Sequence, residues 1–478
     1  MNHINPLGRV GLQKKSLALA LSAMLLGGCA SFSEDRGLGL AQQTARERLG
    51  KDITWVRNEV DADSVKTKVQ ALLAKPLSAD DAVQIALYNN PGLQATYAEL
   101  GISESDLVSA GRIENPRFMF LRALDLRSEA KIESILSFGV MSLLTLPMRM
   151  EAAGRRFEST RRGVTSEMLR TASETRKAWV AAVAATQTVQ YMTQVKESAE
   201  AGAELARRMA RAGNFSKLSQ MREHAFYADA TTQLARAQQA AVSACEQLTR
   251  LMGLSDPQAF RLPERLPDLP AAPRAEADIA REAMTERLDV TAARYEAESL
   301  AASLGLTRIT RFTNVLEVGR VRVDEGHDPR KKGWELAFEI PIFDFGGGRV
   351  AGAEARYMQA AERIRETAVT AASEVRETYN AYRTQHDLAR HYREEIVPLR
   401  KKISDEMLLR YNGMLKSVFE LLADARDQVM AVNGAIEAQR DFWMAEADLQ
   451  MVLVGKPSAL GLGRPLAPTP VKAAAGGH

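Results

Sequence analysis

Cysteine is almost missing from this 478-residue chain: there are two, Cys29 and Cys245. Histidine numbers six, and Phe, Trp and Tyr together make up 6%. Neither charge sign is in excess, since 63 Lys and Arg stand against 60 Asp and Glu for a formal +3. Past the N-terminus, no segment is apolar for the roughly 20 residues that a membrane-spanning helix needs. Each shortage excludes something. Two cysteines build no disulfide framework. His386 and His391 are five apart and so sit on different helix faces, and no Cys/His cluster has zinc-like spacing. The balanced charge leaves no nucleic-acid footprint. No nucleophile–base motif is visible. The chain therefore reads as a non-enzyme, with no catalytic residue, no metal and no cofactor.

What is present begins at the N-terminus. Arg9, Lys14 and Lys15 precede an apolar run, Leu17 to Leu26, and then Gly27-Gly28-Cys29. A basic stretch, a short apolar core and small residues before a cleavage point describe a bacterial secretory signal over residues 1–28. The site resembles a lipobox, which implies a covalent lipid on Cys29. The next residue, Ala30 rather than Asp, favours sorting to the outer membrane by analogy with bacterial lipoproteins. Cys245 is then left without a disulfide partner, and its helical surroundings predict a packed small side chain. A chain sent to a membrane without an apolar helix must span it, if it spans, by strands.

The sequence also repeats itself. Ala210 to Leu218, around Gly213, answers Arg410 to Val418, around Gly413. Leu251-Met-Gly253 answers Leu453-Val-Gly455. Ala86-Leu87 and Asn90 to Leu93 answer Ala283-Met284 and Arg287 to Val290. Two repeats follow, 80–255 and 275–456, after an N-terminal segment over 29–79. A proline-rich stretch over 256–274 joins them, suited to an extended connector. A tail over 457–478, rich in Pro, Ala and Gly, is expected to be disordered. Finding the duplication first guards against misreading the whole fold.

Within each repeat the pattern predicts two strands, a very long helix, a break and another long helix. Phe157, Val164, Met168, Ala172, Trp179 and Val183 recur at spacings of four and seven, as do Ile364, Ala368, Val375 and Tyr379. Such spacing lays one apolar stripe along a helix. From Arg155 to Ala212 there is no Pro. A helix of about 60 residues would run roughly 90 Å. Strands are expected at 116–126, 131–144, 314–323 and 333–342. The last alternates cleanly: Trp334, Leu336, Phe338, Ile340 and Ile342 share one face, and Glu335, Ala337 and Glu339 the other. Ile132, Leu136, Phe138 and Val140 oppose Glu133, Ser137 and Gly139 in the same way. A barrel wall between lipid and water needs that alternation. Four strands cannot close a barrel, and open edges are not viable in lipid. Either the strands are not transmembrane or several chains share one barrel.

Ile340-Pro-Ile-Phe-Asp-Phe-Gly-Gly-Gly-Arg349 leads a strand into a long helix. Its glycines formally fit a dinucleotide loop, but that motif requires a βαβ unit, and here a helix pattern runs on to about Ile396. Together with Asp81-Ala82, Ala86-Leu87, Asn90-Pro91, Glu114-Asn-Pro116 and the paired Gly-containing hairpins, this stretch resembles the TolC-type outer-membrane efflux proteins, in their lipoprotein branch, over about residues 60–456. The resemblance implies a mainly α fold with a membrane β-barrel. Three chains would share a twelve-stranded barrel above a helical tunnel, as the exit duct of a tripartite efflux pump. It implies a homotrimer partnered by a periplasmic adaptor (a membrane fusion protein), an inner-membrane pump and outer-membrane lipid. It places Gly213, Asn214, Phe215 and Ser216, and Gly413, Met414, Leu415 and Lys416, at hairpin tips that meet the adaptor. Glu420 and Asp424 fall near acidic positions of its pore gate. The alternative reading is a lipid-anchored periplasmic coiled-coil scaffold without a pore.

Overall fold

The computed structural model describes residues 31–124, 130–275, 279, 287–325 and 329–457. Cys29, the signal segment, the Ala283-Met284 landmark and the tail from residue 458 lie outside the described residues. The chain divides into two compact units.

The first unit takes residues up to Thr44, 95–165 and 288–369. It holds four strands, β1 Arg117–Leu124, β2 Ala130–Gly139, β3 Leu316–Glu325 and β4 Lys331–Phe338. They form one antiparallel sheet in the order β1-β2-β3-β4. Directly opposite residues share a face, so the register sorts the side chains. Phe118, Leu136, Arg320 and Trp334 form one row, and Phe138, Val318 and Leu336 the next, all on one face. Glu133, Glu317, Glu325 and Glu335 lie on the other. There Arg117 pairs with Glu317 at 3.1 Å, and Glu325 takes Lys131 at 3.2 Å and Lys331 at 2.7 Å. The expected alternation of β2 and β4 is present, with Leu136, Phe138, Trp334, Leu336 and Phe338 all exposed.

Two strand expectations need correction. The second strand stops at Gly139, and residues expected to continue it to Leu144 are helical from Val140. Ser142 Oγ bonds to Gly139 O at 2.9 Å and Thr145 Oγ1 to Met141 O at 2.8 Å, closing the first turn. The fourth strand ends at Phe338 rather than Ile342. The chain then turns through Gly346, whose φ is +70°. A Cβ there would lie 2.3 Å from Arg311 O, so only glycine fits. Gly347 and Gly348 have open space around them, and the sharp turn rests on the first of the three.

Helices α1 Gly39–Thr44, α2 Glu59–Leu73, α3 Ala79–Asn89 and α4 Pro91–Ala110 precede β1. Helices α5 Val140–Arg211 and α6 Lys217–Leu251 follow β2, and α7 Leu288–Ile309 leads to β3. After β4 come α8 Gly347–His391, a π-helical segment Tyr392–Ile396, α9 Val397–Asn412 and α10 Val418–Val452. In the first unit α5 is pinned to α7 by Ser159 Oγ on Ala292 O at 3.0 Å and Ser299 Oγ on Ala152 O at 2.9 Å. Ser33 Oγ and N both donate to the buried carboxylate of Glu104 at 2.5 Å, holding the N-terminal segment against α4.

The second unit takes 45–94, 166–287 and residues from Thr370. Met168, Ala172, Trp179 and Val183 form the buried stripe of α5 in this unit, as their spacing requires. On α8 the buried line runs through Ala371, Tyr379 and Tyr382, while Ala368, expected in it, is exposed. A strict spacing of four drifts round a helix of 3.6 residues per turn. The proline-rich connector has no helix or strand over 256–274 yet is not loose. Phe260, Leu266 and Leu269 are buried, and Pro267 O accepts from Gln439 Nε2 at 2.7 Å and Trp443 Nε1 at 3.0 Å. Cys245 is half-buried in a core cluster, where burial pushes its thiol up from the ordinary value. His386 is buried against Phe442, its Nε2 within 3.2 Å of Pro270 O.

The two repeats are tied here by ions as well. Lys177 on α5 meets Asp448 on α10 at 2.7 Å, both nearly out of solvent. Burial pushes the Asp448 carboxyl up, against the pull of the Lys177 ammonium. Removing one partner strands a charge, whereas removing both removes the problem. In denaturant melts, Lys177→Met and Asp448→Leu singly should each cost about 3–5 kcal/mol, and the double variant should return close to the parent. For the turn, Gly346→Ala should cost at least about 2 kcal/mol from its left-handed backbone and clash. Gly348→Ala should be neutral or better in the same thermal melts.

Candidate functional site

Both hairpin tips lie in the second unit. At the first, Gly213 adopts φ +81° and Asn214 N donates to Met209 O at 3.0 Å. Ser216 then caps α6, its side chain accepting from Ser219 N. This is a left-handed helix termination followed by an N-cap. At the second tip the left-handed residue is not Gly413 but Met414, at φ +59°. Leu415 N donates to Arg410 O at 2.9 Å, and Ser417 caps α10. The shift that carries Lys217 onto Val418 and Leu251 onto Val452 carries Gly213 onto Met414. The pairing of Gly213 with Gly413 is thus one residue out. Gly413 has φ −79° and asks nothing special of its residue. The sequence carries no sign of this, because a methionine in the left-handed region looks like any other.

The tips are apolar and exposed. Met414 is 94% and Leu415 77% accessible, with Leu218 at 59% and Met221 at 60% at the start of α6. Phe215 is half-buried, and Asn214 is exposed. Lys416 forms an ion pair with Glu420. Ser417 and Glu420 complete a reciprocal capping box. The Lys416 ammonium, then the Ser417 amide, hold the Glu420 carboxyl below its usual range. Glu420, read from sequence as a gate acid, has its charge committed to the cap. Asp424, the other such acid, is buried, and its Oδ2 has no hydrogen-bond partner among the described residues. Two residues further on, Arg426 reaches from α10 to the buried Glu223 of α6 at 3.1 Å and lies 4.5 Å over the Phe226 ring. That link between the hairpins was not singled out in the sequence: its two ends are 203 residues apart.

The sheet is the second functional surface. β1 and β4 are its free edges, each with a row of backbone groups that no other described strand pairs. No described helix is long and apolar enough to cross a membrane. Among the described residues no group of three or more His, Cys, Asp or Glu side chains could hold a metal.

The fold is that of solved outer-membrane channels. It is similar to the outer membrane protein VceC of Vibrio cholerae, at a TM-score of 0.65 and 15% identity over 78% of this chain and 95% of that one. It is similar to the CmeC outer membrane channel of Campylobacter jejuni, at 0.64 and 15% over 85% and 91%. In sequence it is similar to the cobalt-zinc-cadmium resistance protein CzcC of Cupriavidus metallidurans, 24% identical over 283 residues. That stretch covers 59% of this chain and 66% of the relative's own length. No protein-family model matches the sequence.

Met414 supplies a test of the tip. A non-glycine residue in the left-handed region costs roughly 1 kcal/mol, and an almost fully exposed side chain offsets little of it. Met414→Gly should therefore raise stability by about 0.5–1 kcal/mol in thermal melts. Gly413→Ala should leave it within about 0.5 kcal/mol of the parent.

Proposed function

We propose that this chain is the exit duct of a tripartite efflux system in the outer membrane. It works as a homotrimer and catalyses no reaction. The observation that carries the proposal is the sheet: four strands, one face apolar over the rows nearest α5 and α8, and two free edges. Unpaired backbone groups are costly in lipid. Three copies pair β4 of one with β1 of the next and leave no edge. The charged face, with its Glu and Lys pairs, lines a wet lumen, and the apolar face meets lipid. The likeness to VceC, CmeC and CzcC supports this reading over a pore-free scaffold, which gives no reason for such a sheet.

The remaining assignments belong to the same proposal. Cys29 carries the lipid anchor, a few residues before the Ser33 contact with Glu104. The tips, Gly213 to Ser216 and Gly413 to Lys416, meet the periplasmic adaptor through Phe215, Met414 and Leu415, and an inner-membrane pump supplies the energy. Of the two acids read as gate residues, Glu420 and Asp424, Asp424 is the stronger candidate, because the Glu420 carboxylate is used in a cap.

The test is electrical. Purified protein in a planar bilayer should conduct, and should migrate as a heat-modifiable trimer. A monomer that never conducts would favour the scaffold. Asp424→Ala should change the cation preference of the open channel; unchanged selectivity in both Asp424→Ala and Glu420→Ala would remove the gate assignment.

A further inference from the structure

The apolar face of the sheet is not apolar throughout. Toward the ends of the strands that lead away from α5 and α8, its rows change character. One row reads Phe120, Ser134, Arg322, Lys332. The next reads Arg122, Ile132, Asp324. Below them come Phe118, Leu136, Arg320 and Trp334, and then rows with no charge at all. Arg122, Arg320, Arg322 and Lys332 are all exposed. Asp324, the only acid of the four strands on this face, is engaged by Arg330 at 3.0 Å. Arg320 lies 6.0 Å from the Trp334 ring centroid. Arg122, Arg322 and Lys332 have no ion pair among the described residues.

On the opposite face the cations are matched by acids. Among the described residues, Arg122, Arg322 and Lys332 are not matched here, and Arg322 and Lys332 stand directly across from each other. Like charges so placed destabilise a strand pair. Uncompensated cations near the middle of a lipid-facing strand cost about 2–4 kcal/mol each, falling to about 0–1 at the interface. Their place fits the interface. Trp334 marks the aromatic level, and Arg322 stands roughly 7 Å further along its strand than Arg320. Water makes the position tolerable and screens the Arg322 and Lys332 repulsion, but it does not cancel it. An anion held between them would.

We infer that this cluster is a binding site for a phosphate-bearing lipid of the outer leaflet, a glycolipid with phosphate monoesters on its sugar headgroup. The inference rests on the duct reading above, which turns this face to lipid and this end outward. Arginine guanidinium groups grip phosphate oxygens in pairs, and Lys332 adds a point charge. Ser134, in the same row, offers a hydroxyl. In a trimer the site occurs three times around the rim.

The test uses the full-length trimer in nanodiscs of phosphatidylcholine doped with bisphosphorylated lipid A or with phosphatidylglycerol. Retained lipid is read by native mass spectrometry. Lipid A should be retained in preference to phosphatidylglycerol. At about five-fold per cation near an anionic surface, Arg122→Gln/Arg322→Gln/Lys332→Gln should lower retention by roughly 100-fold. Arg122→Lys/Arg322→Lys should keep most of it, and Lys131→Gln on the opposite face should change nothing. Equal retention by parent and triple variant, equal retention of the two lipids, or displacement by millimolar inorganic phosphate would each overturn the site. Conductance of the same preparations separates the two ideas. Channels that conduct without retaining lipid A overturn the inference alone, whereas a parent protein that neither trimerises nor conducts overturns the duct reading beneath it.

Discussion

The proposed assembly depends on the backbone along two sheet edges that no other described strand pairs. A four-stranded sheet leaves an N–H and C=O row at β1 and another at β4. In water such edges are a liability; in hydrocarbon they are prohibitive. On the proposed duct reading the apolar face meets hydrocarbon, and the edges then require partners of the same kind. The duplicated helices serve the same end. Helices packed on neighbours on two sides need small and apolar residues over much of their surface, and the Ala-rich stretch around Ala181 to Ala185 provides them.

Much of the fold was legible because periodicity is a local signal. Trp334, Leu336 and Phe338 alternate in sequence and on the sheet alike. Phe157, Val164 and Met168 are spaced for one stripe and are buried. The failures have equally local causes. Val140 to Leu144 are apolar enough for either element, and in the structure they are helical, with the hydroxyls of Ser142 and Thr145 bonded back to the carbonyls of Gly139 and Met141. β3 carries no clean alternation, because Glu317 shares a face with Val321 and Val323 while Arg320 and Arg322 share one with Val318.

The site was less legible than the fold. Glycines served as landmarks, and at the second tip the landmark misled by one place. Gly253 likewise corresponds in the helix frame to Val454 rather than Gly455. A left-handed turn is a property of backbone geometry, and glycine is only its cheapest occupant. Glu420 shows a second limit. An acid three residues after Ser417 is a capping signal, and that bland role accounts for its charge better than a pore does. The Arg426 and Glu223 contact, by contrast, has no sequence signal, since it depends on how two distant helices meet.

The π-helical turn at Tyr392–Ile396 interrupts the helix before the second tip, whereas the helix before the first runs unbroken from Val140 to Arg211. Such a turn takes up an extra residue by widening the backbone ring from i+4 to i+5. Each residue added to an ordinary helix would rotate everything beyond it by about 100°, turning a buried stripe out of its seam. A π turn confines that error to a few residues. A hairpin with such a turn can hold one residue more than its counterpart and still keep the stripes on either side of it in their seams.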